Sequence, residues 1–95
     1  MSAYLIVDID VTDPVGYQTY RELVAPIVAA AGGRFIVRGG AFEVLEGVWT
    51  PKRVVMLEFP SMEAARTWYH GDDYAEAKAL RLRTAVSNVV LVEGM

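Results

Sequence analysis

Two apolar runs separated by a glycine-rich excursion constrain this chain more than any other feature. The first, Gly33-Arg34-Phe35-Ile36-Val37-Arg38, ends at Gly39-Gly40, and the second, Arg53-Val54-Val55-Met56-Leu57-Glu58-Phe59, ends at Pro60. Each is short, rich in β-branched or aromatic residues and bounded by turn formers, which is the pattern of a strand. The excursion between them, with Glu46-Gly47-Val48-Trp49 near its centre, is too elaborate for a plain hairpin. Strict alternation puts Phe35 and Val37 on one face of the first strand and Arg34, Ile36 and Arg38 on the other. In the second, Val55, Leu57 and Phe59 oppose Val54, Met56 and Glu58. Gly39-Gly40 is expected to break or bulge the first strand, and Phe42–Glu46 is a candidate for a short extension.

The flanking segments complete a plan. Ala3 to Val11 alternates, with Leu5, Val7, Ile9 and Val11 on one face and Tyr4, Ile6, Asp8 and Asp10 on the other, so it reads as a strand. Asp13-Pro14 then starts a helix, Asp13 as N-cap and Pro14 at the first helical position. Tyr17, Tyr20, Val24, Ile27, Val28 and Ala31 form its apolar stripe, Pro26 predicts a kink, and Gly32-Gly33 ends it. After Pro60, Ser61 caps a second helix that buries Ala64, Ala65 and Trp68. Gly71-Asp72-Asp73 interrupts it, Asp72 is expected to cap a continuation to about Ala85, and Ser87–Glu93 is a last strand. Strand, helix, strand, strand, helix, strand predicts an α+β fold: a ferredoxin-like βαββαβ sandwich with a four-stranded antiparallel sheet and helices on one face.

The 95 residues make one domain, residues 1–95. Hydrophobic residues are 54% of the chain and mean hydropathy is +0.27, more than one small core can hide, so a second apolar surface is expected to meet a partner. The open sheet face, with Ile6, Ile36, Val54, Met56, Val90 and Val92, is that surface, and the same face of a second copy is its simplest cover. A homodimer follows. No apolar run approaches the roughly 18 residues of a membrane span, and no charged region precedes an apolar leader, so a cytoplasmic protein without membrane contact is expected. The net charge of −3 argues against nucleic acid as a partner. With no cysteine, disulfides, thiolate catalysis and thiolate metal sites are excluded.

Several residues could carry chemistry. Alternation places Tyr4, Asp8, Arg38 and Glu58 together on the open sheet face. There Arg38 and Glu58 either form a cross-strand ion pair or serve a ligand, Arg38 as anion clamp and Asp8 or Glu58 as general base. Glu46 and Arg53 flank the excursion, either bridged to hold it or lining a pocket wall where Gly39 and Gly40 allow close backbone approach. His70 is the only histidine and stands at a helix end beside Gly71, which suits a partly charged imidazole better than a metal or haem ligand. Ser2, Ser61 and Ser87 have plainer roles at the terminus, a cap and a strand start. No metal and no cofactor are expected.

The chain resembles the family known as domain of unknown function 1330, through Gly33, Arg38-Gly39-Gly40, Glu46-Gly47, Arg53, Glu58-Phe59-Pro60, Trp68, Tyr74, Arg81 and Val92-Glu93-Gly94. The resemblance spans essentially the whole chain and implies a protomer of the dimeric α/β barrel superfamily, two sheets packed face to face. Related barrels keep a small-molecule pocket between helices and sheet, which implies Tyr20, Trp68 and Tyr74 as lining, although aromatics at helical spacing are also ordinary core. The family brings no settled activity. Cofactor-independent oxygenase, isomerase and decarboxylase chemistry all stay open. Two functions compete: a homodimer that binds and transforms a small anionic organic molecule without metal, and a non-catalytic dimeric structural or interaction module.

Overall fold

The computed structural model describes all residues, 1–95. β1 (Ala3–Val11) leads into α1 (Pro14–Ala30), then β2 (Arg34–Arg38), β3 (Val54–Phe59), α2 (Met62–His70), α3 (Asp72–Thr84) and β4 (Ala85–Glu93). The sheet is antiparallel throughout, in the order β2-β3-β1-β4. Three helices cover one face, the second helical stretch being broken at Gly71, and the molecule is a ferredoxin-like two-layer slab of 36 × 32 × 17 Å. No helix is long and apolar enough to cross a membrane.

Local chemistry accounts for the elements. The Asp13 carboxylate accepts from the Gly16 amide and Pro14 begins α1, as the sequence predicts. Ser61 caps α2 by accepting from the Ala64 amide. Gly32, at φ +83°, ends α1 in the left-handed region, which an L side chain rarely adopts. At α3 the expectation is corrected. Gly71 is the N-cap and no side chain caps the helix, while Asp72 and Asp73 lie in its first turn, where carboxylates favour the helix dipole.

The core follows the predicted stripes. Leu5, Val7 and Ile9 of β1 and Val55, Leu57 and Phe59 of β3 meet Tyr17, Tyr20, Val24 and Val28 of α1, with Trp68 and Tyr74 from the second helical stretch. β4 begins at Ala85, earlier than Ser87, and pairs with β1 along its whole length.

Two expectations about the excursion fail. Phe42–Glu46 forms no strand, and residues 41–50 are exposed throughout, among them Leu45, Val48 and Trp49. The other failure is in β2. Arg34 pairs with Glu58 and Phe35 with Leu57, but Val37 then pairs with Met56 and Arg38 with Val55. Ile36 is an extra residue, a β-bulge. Beyond it the alternation is inverted, so Val37 turns to the open face and Arg38 to the helix-covered face.

Candidate functional site

The bulge dissolves the cluster expected on the open face. Tyr4, Asp8 and Glu58 are there, but Arg38 is not. Glu58 is held by Arg34 instead, Nε to Oε1 at 2.6 Å, in the molecule's one salt bridge. The Tyr4 hydroxyl donates to its other oxygen at 3.0 Å. The hydrogen bond from Arg34, seconded by that from Tyr4, holds the Glu58 carboxyl below its ordinary value, and Glu58 in turn pushes the Tyr4 phenol up. Asp8 accepts from Trp49 Nε1 at 3.0 Å and from the Lys52 amide at 3.0 Å, and these bonds lower its pKa. Both carboxylates are thus engaged as acceptors, which suits an anchor better than a general base. Asp8 ties the excursion to the sheet.

The expected bridge between Glu46 and Arg53 is not formed either, because Glu46 lies out on the exposed excursion. Gly39 and Gly40 separate in character. Gly39 has φ +72°, and a Cβ there would collide with the Arg53 guanidinium, so its bare backbone lets Arg53 lie across it. Gly40 has an ordinary φ and nothing near it.

The largest constellation of polar groups lies on the helix-covered side. A cavity between helices and sheet has Val7, Val55 and Leu57 in its floor and Tyr17, Tyr20, Trp68, Tyr69 and Tyr74 in its walls. It measures about 480 Å³ with its mouth included, of which only about 30 Å³ can take the centre of a water-sized molecule. It is therefore narrow. Four arginines line it, Arg21, Arg38, Arg53 and Arg81, and no aspartate, glutamate, histidine or lysine does.

None of these arginines has a carboxylate partner. Arg38 donates to the Arg21 carbonyl at 3.0 Å and lies over the Phe35 ring at 4.2 Å. Arg81, only 4% exposed, donates from Nη2 to the Tyr69 hydroxyl at 3.3 Å. The Nε atoms of Arg21, Arg53 and Arg81 are buried without any partner. Burial acts against the Arg81 charge, and the phenols of Tyr74, Tyr69 and Tyr20 more than offset it, so Arg81 stays a cation. Tyr20 and Tyr74 share a hydroxyl–hydroxyl hydrogen bond of 2.9 Å, and burial pushes both phenols up, so they remain neutral donors. Tyr74 stacks on Trp68 at 4.1 Å.

Of the residues singled out from sequence, Tyr20, Arg38, Arg53, Trp68 and Tyr74 meet at this cavity, while Tyr4, Asp8 and Glu58 face away and Glu46 and Gly40 stand apart. Arg81 was visible only as a matching family residue, and Arg21 not at all. A signal existed for Arg81. It stands with Tyr74, Ala77 and Thr84 on the buried stripe of α3, and a cation on an apolar stripe calls for a partner. His70 is exposed at the end of α2, and no three His, Asp or Glu side chains converge as a metal site would require.

Comparison with known proteins bears on the fold. A protein of unknown function from Rhodopseudomonas palustris superposes with a TM-score of 0.78 at 18% identity, over 99% of this chain and 82% of that one. SnoaB, a cofactor-independent oxygenase from Streptomyces nogalater, gives 0.69 at 11% identity, over 99% and 93%. A dimeric ferredoxin-like protein of unknown function from Jannaschia sp. CCS1 gives 0.67 at 13% identity, over 99% and 100%. No curated protein matches the chain. The family profile described as Domain of unknown function (DUF1330) matches residues 2–95, and the chain belongs to that family.

Proposed function

We propose that this protein binds a small organic anion in the cavity between its helices and its sheet. Arg81 carries the reading: a residue only 4% exposed, with an unpartnered Nε and no carboxylate partner, in a cavity that three further arginines line. A buried charge without a counterion is costly, and a fold retains one where an anion from outside supplies the missing partner. The Tyr20 and Tyr74 hydroxyls add neutral hydrogen-bonding groups, and the apolar floor suits a carbon skeleton. The competing reading, a non-catalytic module whose charges only maintain fold and pairing, leaves Arg81 unexplained.

Asp8 and Glu58 serve the open face in this reading, one as anchor of the excursion and the other as the partner of Arg34 and Tyr4. No carboxylate, imidazole or lysine amine lines the cavity to act as a general base there. The oxygenase activity of SnoaB is not transferred, since the likeness at 11% identity is one of fold. The test is native mass spectrometry and thermal shift of the purified protein against a metabolite library. Organic anions should bind one per protomer and raise Tm, and Arg81→Gln should weaken both effects. A library in which neutral compounds bind as well as anions overturns the proposal.

We also propose a homodimer formed through the open sheet face, where Val90 and Val92 are exposed and Ile6 and Met56 only half-buried. A sheet covered on one side in a slab 17 Å thick leaves that apolar face in water unless a second copy meets it. Sedimentation should show a dimer at low micromolar concentration, and a folded monomer there overturns this.

A further inference from the structure

We infer that the ligand of the arginine-lined cavity is a flat organic dianion, with its two acidic groups at separate positions on an unsaturated body. This rests on the anion-binding reading above and concerns how much charge the cavity takes and where.

The charge count is the first argument. Four arginines line the cavity and no carboxylate does. Arg81 is buried, whereas Arg38 is exposed and Arg21 and Arg53 are half-buried toward the mouth, so a monoanion held at Arg81 leaves a second group of cations without an anionic partner. A second negative charge supplies that partner.

The placement of the cations is the second argument. Arg81 stands on α3, against the β4 side of the sheet, and is surrounded by the phenols of Tyr69, Tyr74 and Tyr20. Arg38 stands at the end of β2, the opposite edge strand, and is bound to the Arg21 carbonyl. Arg53 lies beside it across Gly39. Neighbouring strands are about 4.8 Å apart, so the two edges are separated by roughly 14 Å before the side chains reach inward. One anionic group meets Arg81 and the phenols, and the other meets Arg38 and Arg53. These are two anchors, not one clamp.

The shape of the space is the third argument. The floor is the apolar surface of β1 and β3, and the walls are aromatic rings, Trp68 stacked on Tyr74 and Tyr17 tilted against Tyr20. A planar unsaturated body fits such a slot with little loss of its own conformational freedom, whereas a flexible chain must be ordered.

Calorimetric titration in chloride buffer tests this with benzoate, terephthalate, adipate, phenyl phosphate and inorganic phosphate. Terephthalate should bind at least tenfold more tightly than benzoate and than adipate. Arg38→Gln should erase that advantage, bringing terephthalate down to the affinity of benzoate for the same variant. Arg81→Gln should weaken both, and Arg81→Lys, which keeps the charge without the planar fork, should restore part of the loss. Benzoate binding as well as terephthalate overturns the dianion and leaves the anion-binding reading standing. Phenyl phosphate as the tightest ligand overturns the two separate anchors. Failure of every anion to bind the wild-type protein overturns both readings together.

Discussion

Arg81→Met probes the central claim through stability alone. The Met side chain preserves most of the apolar stem on the buried stripe that Arg81 shares with Tyr74, Ala77 and Thr84. The lost hydrogen bond to Tyr69, long at 3.3 Å, is worth about 1 kcal/mol or less. Against this stands the removal of a buried cation that no carboxylate compensates, whose desolvation costs up to several kcal/mol and less where the cavity opens to water. The variant should therefore be as stable as wild type or up to about 2 kcal/mol more stable, a rise in Tm of up to roughly 8–16 °C for a domain of this size. Had Arg81 been one half of a buried ion pair, its removal would cost about 3–5 kcal/mol. Urea denaturation and calorimetry in a chloride buffer at low ionic strength measure the difference, and the same variant should respond more weakly to organic anions than wild type does. A loss of 3 kcal/mol or more would show that the native fold already satisfies this charge, and the argument for an absent anion would collapse.

Gly39→Ala should destabilise by about 1–2 kcal/mol, from left-handed strain and displacement of Arg53, and should also weaken anion binding. Gly40→Ala, in ordinary backbone and open space, should be neutral or stabilising by up to about 1 kcal/mol, so equal melting of the two variants contradicts the assigned geometry. Ultraviolet titration should show two tyrosines that do not ionise near the ordinary value of 10.0, because the raised folded pKa of Tyr20 and Tyr74 gives stability that is complete below that value and is lost only as pH rises through the folded pKa. Ionisation of every tyrosine near pH 10 without unfolding would refute their burial. Glu58 and Asp8 have lowered values, so their stabilisation is present above their ordinary 4.5 and 3.8 and should fade as pH falls below these, with Glu58→Gln flattening the Tm profile there.

The periodicities of the chain determined its architecture. Leu5, Val7 and Ile9 alternate over β1, Tyr17, Tyr20, Val24 and Val28 recur along α1, and Asp13-Pro14 and Ser61 start helices, all through interactions local to each segment. Such signals are readable because the partner of each group lies within a few residues. The same periodicity placed Tyr20, Trp68 and Tyr74 on buried stripes, and so at the wall of the cavity. What the tertiary structure alone decided is which charges meet. A single extra residue, Ile36, shifts the pairing of β2 on β3, and because side chains alternate with period two it moves Arg38 from the open face to the cavity. That exchanges the expected partner of Glu58 for Arg34 and separates Asp8 and Glu58 from Arg38. This bulge falls at Ile36 and not at a glycine, so composition and spacing gave no mark of it; the pairing with β3 decides it. Arg81 was hidden for a related reason: its stripe is local, but the absence of any carboxylate around it becomes a fact only once α1, α3 and the sheet have closed on one another.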